Sequence, residues 1–295
     1  MGSLRQAFAH LAGVRLVDIA VLQGAPVLGM IFALGDLGPA HLLPSLAFIA
    51  ASVLVVAHVF CFNDWADAGK DLASEDKVDH VFARRGATPR GMLRASIVLA
   101  VAGLGVGAAL SARVAGLLAG VIAASALYSH PATRVKGVPV LSSLLHVAGQ
   151  MMQFLAGYAL FAPLDARGAL ISAYFGIVFA AGHLNQEARD YDGDLANRIR
   201  TNAVAFGRRS TVTASFALFT GSFAYLFSLA ASGRVPAPCA YLAVAYPVYV
   251  VAFFASVRGG LTFAGLTKLQ NAYRAVFASI GAAMCGILVH DLVSR

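Results

Sequence analysis

The sequence predicts an all-α, multi-pass membrane protein with nine transmembrane helices. Three observations carry that prediction. Hydrophobic residues make up 59% of the 295-residue chain. Charged residues make up only 12%, about half the share usual in soluble domains. Apolar runs recur along the whole chain at about the 20 residues a helix needs to cross a bilayer, and none alternates as a membrane barrel strand would.

The runs can be taken in order. The first covers 14–34 and ends at "GDLGPA". Eight more follow it, so it reads as a span and not as a cleavable signal. The second covers 41–62, and a long polar connection, 63–90, comes after it. Runs 91–110 and 113–129 are almost contiguous. The polar stretch 130–138 then leads to 139–161 and, after a short break, 168–186. A second long polar connection, 187–209, precedes 210–232. The turn "SGRVPAP" leads to 236–257, and "VRGG" opens the connection 258–269 before the last run, 270–293. Gly and Pro mark these breaks because they end helices. No linker or low-complexity stretch divides the chain, so one transmembrane domain over 1–295 is expected. Cys61, Cys239 and Cys285 sit inside apolar runs without metal-type spacing and read as small core residues.

Charge is distributed by side. Nine spans place the N-terminus and the connections after spans 2, 4, 6 and 8 on one face. That face holds 18 of the 22 Lys and Arg residues, so the positive-inside rule assigns it to the cytoplasm. The net charge of +8 is therefore a topology signal, and no nucleic-acid partner is expected. A bacterial inner membrane is the expected location.

Acidic residues gather on the same face, in two clusters. The first holds Asp64, Asp67, Asp71, Glu75, Asp76 and Asp79; the second holds Glu187, Asp190, Asp192 and Asp194. If the second span stays helical through "NDWADAGKD", then Asn63, Asp67 and Asp71 fall at i, i+4 and i+8 on one stripe, with Asp64 off it. In "NQEARDYDGD", Asp190 and Asp194 repeat the i, i+4 spacing, and His183 and Glu187 extend their face. Like charges so placed destabilise a helix unless something positive offsets them. Hard oxygen donors at this spacing suit Mg²⁺, which takes one or two carboxylates and binds substrate phosphates as well. Between the clusters, "YSHPATRVKGVP" supplies Tyr128, Ser129, Arg134 and Lys136, and "ARRGATPR" supplies Arg84, Arg85 and Arg90. Such cations clamp a diphosphate.

In order and spacing these stretches resemble the UbiA superfamily of intramembrane prenyltransferases. "NDWADAGKD" resembles its NDxxDxxxD motif and "DYDGD" its second DxxxD motif. "YSHPATRVKGVP", "RRGATPRGML" and "NRIRTNAVAFG" resemble the segments that accompany them. The resemblance implies nine helices around a central cavity open to the cytoplasmic side, with a side opening for a lipid tail. It implies an isoprenyl diphosphate held through two Mg²⁺ ions, one at each motif. Carried over by position, Asn63, Asp67, Asp71, Asp190 and Asp194 are the expected metal ligands, and the four aspartates among them are expected to be catalytic. Lys136, Arg134, Tyr128, Arg85 and Lys77 are expected at the diphosphate.

The reaction so implied ionises the allylic C–O bond in a dry cavity. An electron-rich acceptor then attacks the cation, and a proton leaves. A small hydrophobic or aromatic acceptor of the quinone- or pigment-precursor type is expected. Polar residues inside spans are costly toward lipid and so point to its pocket: Arg15 in the first span, and His146, Gln150 and Gln153 on one face of the fifth. Glu187 joins them at the end of the sixth. A terpene cyclase, or transfer to a non-aromatic acceptor, is the alternative on the same scaffold. A secondary transporter fits less well, because its polar groups would lie at mid-membrane.

Overall fold

The computed structural model describes residues 2–71, 82 and 86–294. Among them all regular structure is helical, and nine segments are long and apolar enough to cross a membrane. They are α1 (Leu4–Ala33), α2 (Pro39–Ala68), α3 (Pro89–Leu110), α4 (Ala112–Ser129), α5 (Leu141–Phe161), α6 (Ala166–Arg189), α7 (Arg208–Ala231), α8 (Ala237–Arg258) and α9 (Phe263–Val293). All nine expected spans are present.

Helix starts are capped from within the chain. Ser111 Oγ accepts from the Val114 amide at 3.1 Å, Asp165 Oδ1 from Gly168 at 2.7 Å and Thr262 Oγ1 from Gly265 at 3.1 Å. Capping satisfies amides that have no intrahelical partner. The need is greater near a bilayer, where water is scarce.

The first span differs most from expectation. It begins at Leu4, although the apolar run starts only at 14. The polar residues that seemed to delay it are paired within the protein. His10 and Arg15 both meet Asp64 of α2, so the Arg15 charge is offset, the His10 ring has a polar partner, and the helix can start early. The segment Leu11–Arg15 is π-helical. The regular helix that follows ends at Leu22, and a new one starts at Gly24. Pro26 explains this break: it has no N–H, and its ring displaces the carbonyl four residues back, that of Leu22.

Packing follows chain order. Each of α2 to α8 lies against the next, and α9 returns to α1. The closest approach is that of α1 and α5. A methyl group on Gly29 would lie 2.0 Å from the Phe154 carbonyl oxygen, and one on Gly157 would lie 2.0 Å from that of Pro26. Only glycine lets the two backbones touch in this way, the small-residue packing that holds membrane helices together. Phe154, Tyr158, Leu28 and Phe32 fill the space around the crossing. Cys61 and Cys239 are buried and Cys285 half-buried, all as free thiols.

Outward faces are apolar. Leu42, Leu43 and Leu46 of α2, and Ile97, Val98 and Val101 of α3, are exposed. Hydrocarbon is the solvent that matches such a surface. α8 is the least buried of the nine. It opens with a 3₁₀ stretch, Ala237–Ala245, and turns Tyr241, Val244, Val248 and Val251 outward.

Candidate active site

The helix of α2 continues to Asp71 without a break, as the sequence predicts. Asn63 and Asp67 therefore share one face of it, one turn apart. Asp64 faces elsewhere. It is buried against α1, where His10 Nε2 lies 3.0 Å from its Oδ2 and Arg15 Nε donates to Oδ2 at 3.2 Å. A second Arg15 nitrogen pairs with Asp64 Oδ1. The side chain of Asp71 lies outside the described residues, as do Lys77 and Arg85.

The connection after α4 reaches the Asn63–Asp67 face. Ser129, the last residue of α4, donates its hydroxyl to Asn63 Oδ1 at 2.9 Å. Lys136 is buried and forms an ion pair with Asp67. A lysine enters such a site only with a partner of opposite charge. Its loop is bent at Arg134, which takes the left-handed conformation at φ 44° and is itself exposed.

The second cluster sits at the end of α6. That helix stops at Arg189, and Asp190 caps it. A short helix, Tyr191–Ala196, carries Asp194, and the Asp194 amide bonds to the Asp190 carbonyl at 2.9 Å, which keeps the two residues one turn apart. Arg189 holds Asp190 through both oxygens, at 2.7 and 3.1 Å, and reaches Gln270 Oε1 of α9 at 2.6 Å. The positive offset expected for the stacked carboxylates therefore comes from Lys136 at the first cluster and Arg189 at the second. The end of α4 links the two helices that carry the clusters: Ser129 bonds to Asn63 of α2, and the Tyr128 ring lies 6.2 Å from that of His183, one turn before Glu187 on α6.

Behind the carboxylates is a layer of rings from three helices. His146 of α5 and His183 of α6 stack with centroids 3.7 Å apart. Tyr128 of α4 meets His146 edge-on at 4.7 Å, and the Phe179 ring lies 5.5 Å from that of His146. Farther along α5, Gln150 and Gln153 are buried, and among the described residues neither side-chain oxygen has a hydrogen-bond donor.

Two residues assigned to the acceptor pocket by sequence are already engaged. Arg15 pairs with Asp64 and lies 3.5 Å from Asp18, which also meets Arg274 of α9 at 3.1 Å. Glu187 is buried, and both of its oxygens have partners. His183 Nε2 stands 3.0 Å from Oε1, Ser142 donates to Oε1 at 3.4 Å, and the amide and side chain of Asn202 donate to Oε2 at 3.0 and 2.8 Å. Asn202 was not singled out by sequence. Its signal was an amide side chain at the first turn of a short segment, "RTNAVAFG", that is otherwise apolar in its core.

A divalent cation fits the chemistry of these donors. Among the described residues no three His, Cys, Asp or Glu side chains close on a point to form a ready cage. Mg²⁺ does not need one, since it commonly takes one or two carboxylates and fills its shell with water and phosphate oxygens. Asn63 and Asp67 on one side, and Asp190 and Asp194 on the other, supply oxygen donors of that kind.

The UbiA prenyltransferase family profile matches residues 24–287. No curated protein matches the chain. Among solved structures it resembles a UbiA homolog from Archaeoglobus fulgidus bound to DMAPP and Mg²⁺, with a TM-score of 0.71 at 17% identity, over 94% of this chain and 99% of that one. It resembles the apo structure of a UbiA homolog from Aeropyrum pernix K1, with a TM-score of 0.74 at 17% identity, over 95% and 100%. It also resembles a digeranylgeranylglyceryl phosphate synthase, with a TM-score of 0.72 at 12% identity, over 98% and 100%. At these identities the likeness is one of fold.

Proposed function

The chain belongs to the UbiA prenyltransferase family, and from that premise we propose that it transfers an isoprenyl group from an isoprenyl diphosphate to a small hydrophobic or aromatic acceptor within the bilayer. The observation that carries this reading is that the end of α4 and the loop after it meet the α2 carboxylate segment through Ser129 and Lys136, and α6 through the ring contact of Tyr128 with His183. The homolog from Archaeoglobus fulgidus, bound to DMAPP or to GPP with Mg²⁺, supports the diphosphate and the metal. The family match over 24–287 supports a single domain across 1–295.

In this reading Asn63, Asp67 and Asp71 would hold one Mg²⁺, and Asp190 and Asp194 would hold a second. When bound, the metal supplies Lewis-acid neutralisation of the diphosphate charge. Lys136 stands at Asp67 and shares that charge as the leaving group departs. Arg134, in the same loop, adds positive charge, and the family resemblance assigns Arg85 and Lys77 to the diphosphate as well. The ring layer of Tyr128, His146, His183 and Phe179 keeps water from the allylic cation and offers it aromatic faces. Gln150 and Gln153 present buried oxygens to donors on the acceptor, because a buried acceptor atom without a donor is costly. Arg15 and Glu187 shape that pocket through their partners. The mouth faces the cytoplasm, where positive-inside topology puts the Lys136 loop.

The test is direct. Purified protein is incubated with Mg²⁺, geranyl diphosphate and a panel of phenols, quinols and aromatic acids, and products are read by mass spectrometry. Prenylated acceptor is expected. EDTA should abolish it, and added Mg²⁺ should restore it. Hydrocarbon formed without any acceptor would show a cyclase instead.

A further inference from the structure

Asn202 and Glu187 are each only 5% exposed, and each is fully engaged. Besides its two bonds to Glu187, Asn202 accepts the Val140 amide at 2.7 Å through Oδ1. Its amide nitrogen also lies within reach of Ser143 Oγ at 3.1 Å and Ser142 Oγ at 3.3 Å. One side chain therefore ties the end of α6 to the start of α5. The place it grips is unusual. Val140 has φ 65° and ψ −50°, and the Leu141 amide reaches back to the Pro139 carbonyl at 2.7 Å. This is a γ-turn of the positive-φ kind, rare and strained, and more so with a β-branched residue at its centre. Such a conformation persists when its surroundings hold it. Lys136 lies four residues before Val140, in a loop whose other end is bent at Arg134.

We propose that Glu187 and Asn202 form a clasp that fixes the strained turn at Val140 and so sets Lys136 against Asp67. Asn202 is then a positioning residue for the diphosphate site, an inference that rests on the reading of that site given above. Removing the Asn202 amide frees the Val140 N–H and leaves the buried Glu187 carboxylate short of donors. The turn relaxes, and Lys136 leaves the place where it meets the diphosphate. The clasp also explains a charged residue buried among apolar helices, since the Asn202 and Ser142 donors satisfy the carboxylate.

The experiment uses the full chain in lipid nanodiscs, with Mg²⁺ and geranyl S-thiolodiphosphate as the probe, read by calorimetry beside thermal unfolding. Wild-type protein that fails to bind the probe would overturn the reading of the site and the clasp with it. With wild-type binding in hand, Asn202→Asp sets two carboxylates face to face and should weaken binding about tenfold. The pair Glu187→Gln with Asn202→Asp restores a facing donor and acceptor and should recover binding to within about threefold. In a Lys136→Ala background, assayed at probe concentrations where that variant still binds, Asn202→Asp should cost less than about twofold, because its effect passes through Lys136. Unchanged binding by folded Asn202→Asp would overturn the clasp. So would a tenfold loss that persists without Lys136. If Asn202→Asp does not fold, Asn202→Ser is read against the same outcomes.

Discussion

Asp64 and Asp67 sit three residues apart on one helix and face different partners. Asp64 is buried against His10 and Arg15, whereas Asp67 meets Lys136 of the loop after α4. The difference predicts opposite phenotypes. Asp67→Ala should lower prenyl transfer by at least about a hundredfold with little change in unfolding temperature, because it removes charge stabilisation from the reacting centre. Asp64→Ala should destabilise the fold by about 3–5 kcal/mol, because it takes the carboxylate partner from the buried His10 ring and the half-buried Arg15. Thermal unfolding beside a transfer assay separates the two, and stable but inactive Asp64→Ala would contradict the assignment. Helical periodicity alone put Asp67 on the stripe and Asp64 off it. The partners were not legible. His10 lies 54 positions from Asp64 and Lys136 lies 69 from Asp67, and a pairing over such separations leaves no local pattern.

The nine spans could be read element by element, because each needs a long apolar run and little else. Boundaries were harder where charge is neutralised at a distance. The start of α1 was misplaced because Arg5, His10 and Arg15 look interfacial until Asp64 is known to receive two of them. The crossing of α1 and α5 was also hidden, since Gly29 and Gly157 are two of 29 glycines and nothing in the sequence marks them as facing one another. Gly157→Leu should separate the backbones and destabilise the protein by about 1–3 kcal/mol or more. Gly105→Leu is the control, since Gly105 is exposed and a methyl group there meets nothing within 4 Å. Equal melting temperatures for the two variants would contradict the close crossing.

Across the whole molecule, the order of the motifs carried more information than any one of them. A DxxxD loop is common, but two of them flanking a basic turn at the ends of alternate spans is a pattern. Of the proposed acceptor pocket, His146, Gln150 and Gln153 could be read from their shared face of α5, whereas the ring contacts with Tyr128, Phe179 and His183 join three helices and have no spacing in common. Orientation can be tested directly. Arg200→Cys, in the connection after α6, should react with a membrane-impermeant maleimide only from the cytoplasmic side, and Leu164→Cys, in the connection after α5, only from the other. The three native cysteines are buried or half-buried and should label slowly. Labelling of both positions from one side would refute the nine-span arrangement.

The bare flank of α8 has its own consequence. A helix that opens on a 3₁₀ stretch and gives most of its surface to its surroundings borrows its stability from them. Acyl chains lying along Tyr241, Val244, Val248 and Val251 then serve as a missing neighbour. Extraction into short-chain detergent should fray this edge first, while the glycine-locked pair at the centre stays intact. The choice of lipid would then decide how long the purified enzyme survives at the bench.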